Sequence, residues 1–120
     1  MKEPVIEVDV DTRLEPCRTI DPGKLLDGDP VEGIKEMARS ADGRLTIGVW
    51  TCTPERDRID EFPVDEFCHV VEGVVELTDE AGARQRFGPG SSFFVPRGFK
   101  GVWRTVEPVK KIYVIYEGTP

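Results

Sequence analysis

From residue 45 onward, glycine and proline cut the chain into short β-rich runs, with Pro54, Gly73, Gly82, Gly88-Pro89-Gly90, Pro96, Gly98 and Pro108 falling between them. Proline removes a ladder donor, and glycine admits backbone conformations closed to other residues, so both belong at strand ends and turns. Runs that recur about every 8–12 residues predict the antiparallel strands of a sandwich or barrel. They cover residues 45–53, 66–71 continued by 74–77, 83–87, 92–95, 99–106 and 109–116. Asp79-Glu80-Ala81-Gly82 reads as a hairpin turn and Glu107-Pro108 as another. Residues 55–60, rich in charge, read as a connection. The expected fold class is all-β, a single antiparallel barrel over residues 44–120.

Residues 1–43 read as an N-terminal arm packed on that barrel. Within it, Val5-Ile6-Glu7-Val8-Asp9-Val10 is β-rich and predicts an edge strand. Val31, Ile34 and Met37 or Ala38 fall at helical spacing and predict a short helix, which Gly33 weakens. The arm holds too few apolar groups for a core of its own. An exposed edge strand invites pairing with another chain, so the expected partner is a second copy joined through Val5–Val10.

Charge narrows the function classes. Sixteen basic and 23 acidic residues leave a net charge of −7, spread along the chain. There is no basic stripe to neutralise phosphates, which argues against nucleic acid and against anionic membranes. No apolar run approaches the roughly 20 residues of a membrane helix. Met1-Lys2-Glu3-Pro4 is not followed by the apolar stretch of a signal peptide, and a cytoplasmic location is expected. Cys17, Cys52 and Cys68 are odd in number and too far apart for a CxxC motif, so free thiols in a reducing compartment are expected.

Two punctuated stretches carry a family resemblance. Glu66-Phe-Cys-His-Val-Val-Glu-Gly73 and Gly90-Ser-Ser-Phe-Phe-Val-Pro96-Arg-Gly98 resemble, in order and at this short separation, the two signature motifs of the cupin superfamily. Gly48-Val-Trp50, Cys52, Pro54, Phe99-Lys100-Gly101, Trp103 and Val109-Lys-Lys111 are similar, more narrowly, to the cupin domain of ureidoglycine aminohydrolase. The resemblance implies a jelly-roll barrel over about residues 44–117. Metal-binding cupins place His-x-His just before the motif Glu and a third His after the second motif. Here Asp60 and Phe62, or Ile59 and Glu61, stand at the first positions, and Gly101 at the last. Only Glu66 remains of the usual ligands, and one carboxylate does not hold a transition metal. No cofactor is expected. A divalent metal would require Asp60 or Glu61 beside Glu66.

Strand alternation sorts the candidate residues. Glu66, Cys68 and Val70 share one face, and Phe67, His69 and Val71 the other. The resemblance makes the Glu66 face the barrel interior. Trp50 and Cys52 then line a pocket with Cys68, Phe99, Gly101 and Trp103, and Gly101 leaves room where a ligand would sit. Glu66 is the candidate catalytic or anchoring group, as an acid or base whose pKa burial would raise. His69, the single histidine, faces away from it. One of Arg56, Arg58 or Arg97 is placed to clamp a carboxylate at the mouth. The first functional reading is a small-molecule-binding cupin with Glu66 as anchor and Trp50 and Trp103 as walls. A metal-dependent aminohydrolase and a non-catalytic regulatory or oligomerising partner are the alternatives, and whether catalysis occurs is left open.

Overall fold

The structure, a computed structural model, describes residues 4–118. Nine strands are present among them: β1 (Glu15–Cys17), β2 (Leu25–Gly28), β3 (Glu32–Arg39), β4 (Leu45–Cys52), β5 (Glu55–Ile59), β6 (Asp65–Asp79), β7 (Arg84–Phe87), β8 (Ser92–Val95) and β9 (Gly101–Tyr116). Every pairing is antiparallel. A single 3₁₀ turn, Pro22–Lys24, precedes β2.

The organising unit is the long ribbon of β6 and β9. Its ladder is interrupted between Val70 and Val75, and there the ribbon bends. The first half of β6 and the second half of β9 belong to a half-sheet ordered β1-β3-β4-β9-β6-β8. The other halves belong to a half-sheet ordered β2-β5-β9-β6-β7. Bending one ribbon between two sheets closes the curled, all-β jelly roll. The core between the halves is built from Trp50, Cys52, Val70, Val75, Leu77, Val95, Trp103, Val109 and Tyr113. Full burial of one such aliphatic side chain is worth roughly 1.5–3 kcal/mol.

Four local expectations are corrected. Residues 5–10 form no strand; Val5 and Ile6 are solvent-exposed, and the chain first pairs at Glu15. β-propensity without a partner makes no ladder. Residues 32–39 are strand β3 and not helix. A bulge between Glu36 and Ala38 inserts one extra residue, which turns a two-residue period into a pseudo-helical one. Residues 55–59 are strand β5, paired with both β2 and β9. Finally, Glu107-Pro108 is no turn, because β9 runs through it. Its ladder with β4 starts at Val109 and its ladder with β5 ends at Thr105, so Pro108 sits where no donor is required.

Candidate functional site

Between the half-sheets lies a cavity of about 330 Å³. One half-sheet contributes Ile34 from β3, Trp50 from β4, Glu66 from β6, and Lys111, Tyr113 and Ile115 from β9. The other contributes Asp57 and Ile59 from β5 and Trp103 from β9. The rim is charged, with Asp21, Lys24, Arg58, Asp60 and Glu61. Arg58 Nε bonds Asp60 Oδ1 at 2.6 Å, and Lys24 Nζ stands 3.9 Å from the same carboxylate. Backbone bonds between Phe62 and Phe99 (2.9 Å) and between Gly98 and Phe62 (2.7 Å) tie the rim loop to the turn before β9.

At the floor is a buried ion pair. Lys111 Nζ lies 2.7 Å from Glu66 Oε2, and both residues are 7% exposed. The ammonium stands 4.5 Å from the Trp50 ring centroid and 4.7 Å from that of Trp103, within cation–π range of both. The indoles meet edge to face, 6.1 Å apart and at 78°. Each is fixed by its N–H. Trp50 Nε1 donates to Glu32 Oε1 at 3.0 Å, and Trp103 Nε1 donates to Thr105 Oγ1 at 3.0 Å. Glu32 is itself held by the Thr19 backbone N–H and hydroxyl. Burial works against the charge on Lys111, but Cys68 and Glu66 beside it more than offset this, and its pKa is raised. Its partner as a cation is the Glu66 carboxylate, 2.7 Å away.

A second buried feature is a carboxyl pair. Glu55 and Asp57 both point inward from β5, and Glu55 is 4% exposed. Burial first, and then the neighbouring Asp57, push the Glu55 pKa up to about 9. Asp57 is raised too, chiefly by burial, although its bond to Glu55 acts to lower it. Glu55 Oε2 and Asp57 Oδ1 are both buried without a hydrogen-bond partner.

The residues singled out in the sequence separate into two sets. Glu66, Trp50 and Trp103 line the cavity. Cys52 and Cys68 are buried in the wall, 2% and 0% exposed, and do not face it. Cys68 Sγ donates to Glu66 Oε2 at 3.1 Å, and burial pushes both thiols up to about pKa 12, so neither is a nucleophile. All three cysteines are free. Phe99 packs against the core outside the cavity. Gly101 leaves no room for a ligand; a Cβ there would overlap the Thr78 carbonyl of the neighbouring strand. Arg58 is the arginine on the rim, already engaged by Asp60. His69 faces outward, with Nδ1 2.8 Å from Ser92 Oγ.

Lys111, Asp57 and Glu55 were not among the candidates. A signal for Lys111 existed, since alternation places it on the face of Val109 and Tyr113.

The donor set does not fit a divalent metal. Lys111 and Cys68 both engage Glu66 Oε2, Asp60 is held on the rim by Arg58, and a fixed ammonium repels a dication. Among the described residues, no three His, Cys, Asp or Glu side chains converge as metal ligands would.

Comparison with known proteins agrees with this architecture. The family model for the EutQ-like cupin domain matches residues 39–113, more than half of the chain, and the chain belongs to that family. A protein of unknown function of the DUF861 family from Pseudomonas syringae pv. tomato str. DC3000 is 26% identical, with a TM-score of 0.85 over 90% of this chain and 46% of that one. The chain thus spans less than half the length of that relative. EutQ of Clostridium difficile shares the fold at 20% identity, with a TM-score of 0.63 over 83% of this chain and 81% of its own. The polyketide cyclase RemF of Streptomyces resistomycificus does so at 18%, with a TM-score of 0.67 over 100% and 82%. No curated protein matches the chain.

Proposed function

We propose that this EutQ-like cupin binds a small polar metabolite in the cavity, anchored by Glu66 and Lys111 and walled by Trp50 and Trp103. The observation that carries the reading is the anchor's unspent bonding capacity. Lys111 spends one N–H on Glu66 Oε2 and a second on Cys68 Sγ at 3.5 Å, leaving a third. No donor among the described residues engages Glu66 Oε1. A donor beside an acceptor complements a carboxamide or ureide, which presents the opposite pair. Apolar walls with a few convergent polar groups are the usual form of a small-molecule site.

The alternatives have less support. A metal-dependent aminohydrolase of the ureidoglycine type would need Asp60 or Glu61 to join Glu66 around a cation, at a place where Lys111 already supplies one. A purely oligomerising or regulatory role predicts a cavity filled by its own aromatics, whereas the indoles here border open space. For the macromolecular partner, we propose a second copy of the chain, met through residues 5–10.

The anchor is tested with acetamide, urea, hydantoin and allantoin at millimolar concentration, read by thermal shift and by tryptophan emission. Binding stabilises the fold in proportion to ln(1 + [L]/Kd). At least one compound should act on the wild type and lose its effect in Glu66→Gln. Silence of the whole panel, or an undiminished effect in the variant, would count against the reading.

A further inference from the structure

The cavity lining falls into three tiers of burial. Asp21, Arg58, Asp60 and Glu61 are exposed at the mouth, while Trp50, Glu66, Trp103 and Lys111 are each 7% exposed at the floor. Ile20, Ile34, Ile59, Phe62 and Ile115 form an intermediate belt. All five pack against the core and are only partly buried, so apolar surface is left uncovered within the cavity. The belt is drawn from separate segments: Ile20 from the arm, Ile34 from β3, Ile59 from β5, Phe62 from the rim loop and Ile115 from β9. Its two loop members are tied down. Ile20 N donates to Glu32 Oε2 at 3.4 Å, beside the bonds from Thr19, and the Phe62 backbone is bonded to Phe99 and Gly98. Apolar surface kept wet inside a concave site is a driving force that folding has not used. Glu66 is an independent pointer to a ligand. It is more than nine-tenths buried and lines the cavity, and no donor among the described residues engages its Oε1. A molecule the size of urea could meet that anchor and would leave the belt wet.

We propose that the molecule held here has two parts: a carboxamide or ureide head set on Glu66 and Lys111, and an apolar body of about one ring that the belt covers. The ligand class narrows from small polar molecules at large to amides and ureides bearing an aryl or branched alkyl substituent. The head points inward because the anchor is the buried tier, and the body ends below the charged mouth. A cavity of about 330 Å³ lies at the small end of the roughly 300–1,000 Å³ range of ligand sites, which suits one ring and not a long chain. The inference rests on the cavity being a small-molecule site.

Acetamide, benzamide and acetophenone separate the two parts. Acetamide is the head alone, benzamide is head and ring, and acetophenone is the ring with an acceptor and no N–H. Trp50 and Trp103 are the only tryptophans of the chain, so their two indole N–H signals in a proton–nitrogen NMR titration report the cavity. Benzamide should bind at least about tenfold more tightly than either of the others, the scale of burying one apolar side chain or of one hydrogen bond to a charged group. Ile34→Thr with Ile59→Thr, one from each half-sheet, should weaken benzamide at least about threefold. Should that variant fail to fold, the wild-type ranking of the three probes decides alone. Acetamide or a ureide of the first panel binding as tightly as benzamide, or a benzamide affinity that the two threonines leave unchanged, would remove the apolar body and keep the anchor. Acetophenone matching benzamide would overturn the amide head and the proposal with it. Silence from these three and from the first panel removes body and anchor together.

Discussion

Lys111 carries a full charge into the interior, and Glu66 is what makes that tolerable. Removing one member of a buried pair strands the other, at a cost of roughly 3–5 kcal/mol, while replacing both is far milder. Lys111→Met should therefore lose about that much in urea denaturation. Glu66→Gln with Lys111→Met should recover most of it, giving a large coupling in the double-mutant cycle. Equal losses in single and double variants would show that the pair is not energetically linked. Glu66 was legible as an inward group because alternation puts it on one face with Cys68 and Val70 and the cupin resemblance makes that face the interior. Lys111 was not singled out, because a Lys-Lys dipeptide reads as solvated surface. Only its pairing with Glu66, 45 residues away in sequence, makes an inward lysine stable.

Strand β5 shows the same limit for a whole element. Its inward positions are Glu55, Asp57 and Ile59, and the acid–base alternation of residues 55–58 reads as a loop. The strand exists because it is laddered on both sides, to β2 and to β9, and burial of its carboxyls raises the pKa of both. This has a stability consequence. Glu55 holds its proton in the folded chain up to about pH 9, against an ordinary value of 4.5. Between those values the unfolded chain binds fewer protons, so this group's contribution to stability falls as pH rises, by about 1.4 kcal/mol per pH unit. Glu55→Gln cannot ionise. In denaturant titrations it should match the wild type near about pH 5 and exceed it increasingly towards about pH 9. A gap that stays constant would mean the pair keeps no proton. The bend of the β6–β9 ribbon offers a second test. Gly73 there has φ of +85°, and a Cβ would overlap the Pro108 carbonyl. Gly82, at φ +87°, has open space around it. Gly82→Ala should cost about 1–2 kcal/mol for the left-handed backbone alone, and Gly73→Ala clearly more. Equal melting-temperature losses would remove the steric share. Gly73 was read as punctuating a strand that residues 74–77 continue, and it marks the bend within β6.

At the scale of the molecule, the barrel was legible because it is built from short alternating runs between turns, while its closure was not. Closure depends on β6 and β9 continuing past Gly73 and Pro108; the first continuation was read from residues 74–77, but Glu107-Pro108 has the local form of a turn and nothing nearby announces that β9 runs on. The same scale decides the fate of residues 5–10, which have β-propensity and no strand to pair with inside the chain. Val5 is fully exposed and Ile6 about half exposed. On the outer face of the first half-sheet, Phe67 (42% exposed) opposes Phe94 (58%) in register, and Tyr116 (44%) is exposed beside them. Strand β8, which carries Phe94, pairs only with β6 and leaves its other edge free. An apolar arm without a partner and an apolar face with a free edge are complementary when two copies meet. The expected mass by light scattering behind size exclusion is therefore twice the 13.5 kDa of one chain. Val5→Asp with Ile6→Asp should return the monomer without changing the melting of the barrel by more than about 0.5 kcal/mol, since neither side chain is buried within one chain. A wild type that stays monomeric at micromolar concentration would refute the dimer. A dimer that survives both aspartates would move the interface from the arm to the Phe67–Phe94 face, where Phe94→Lys is the next variant to weigh.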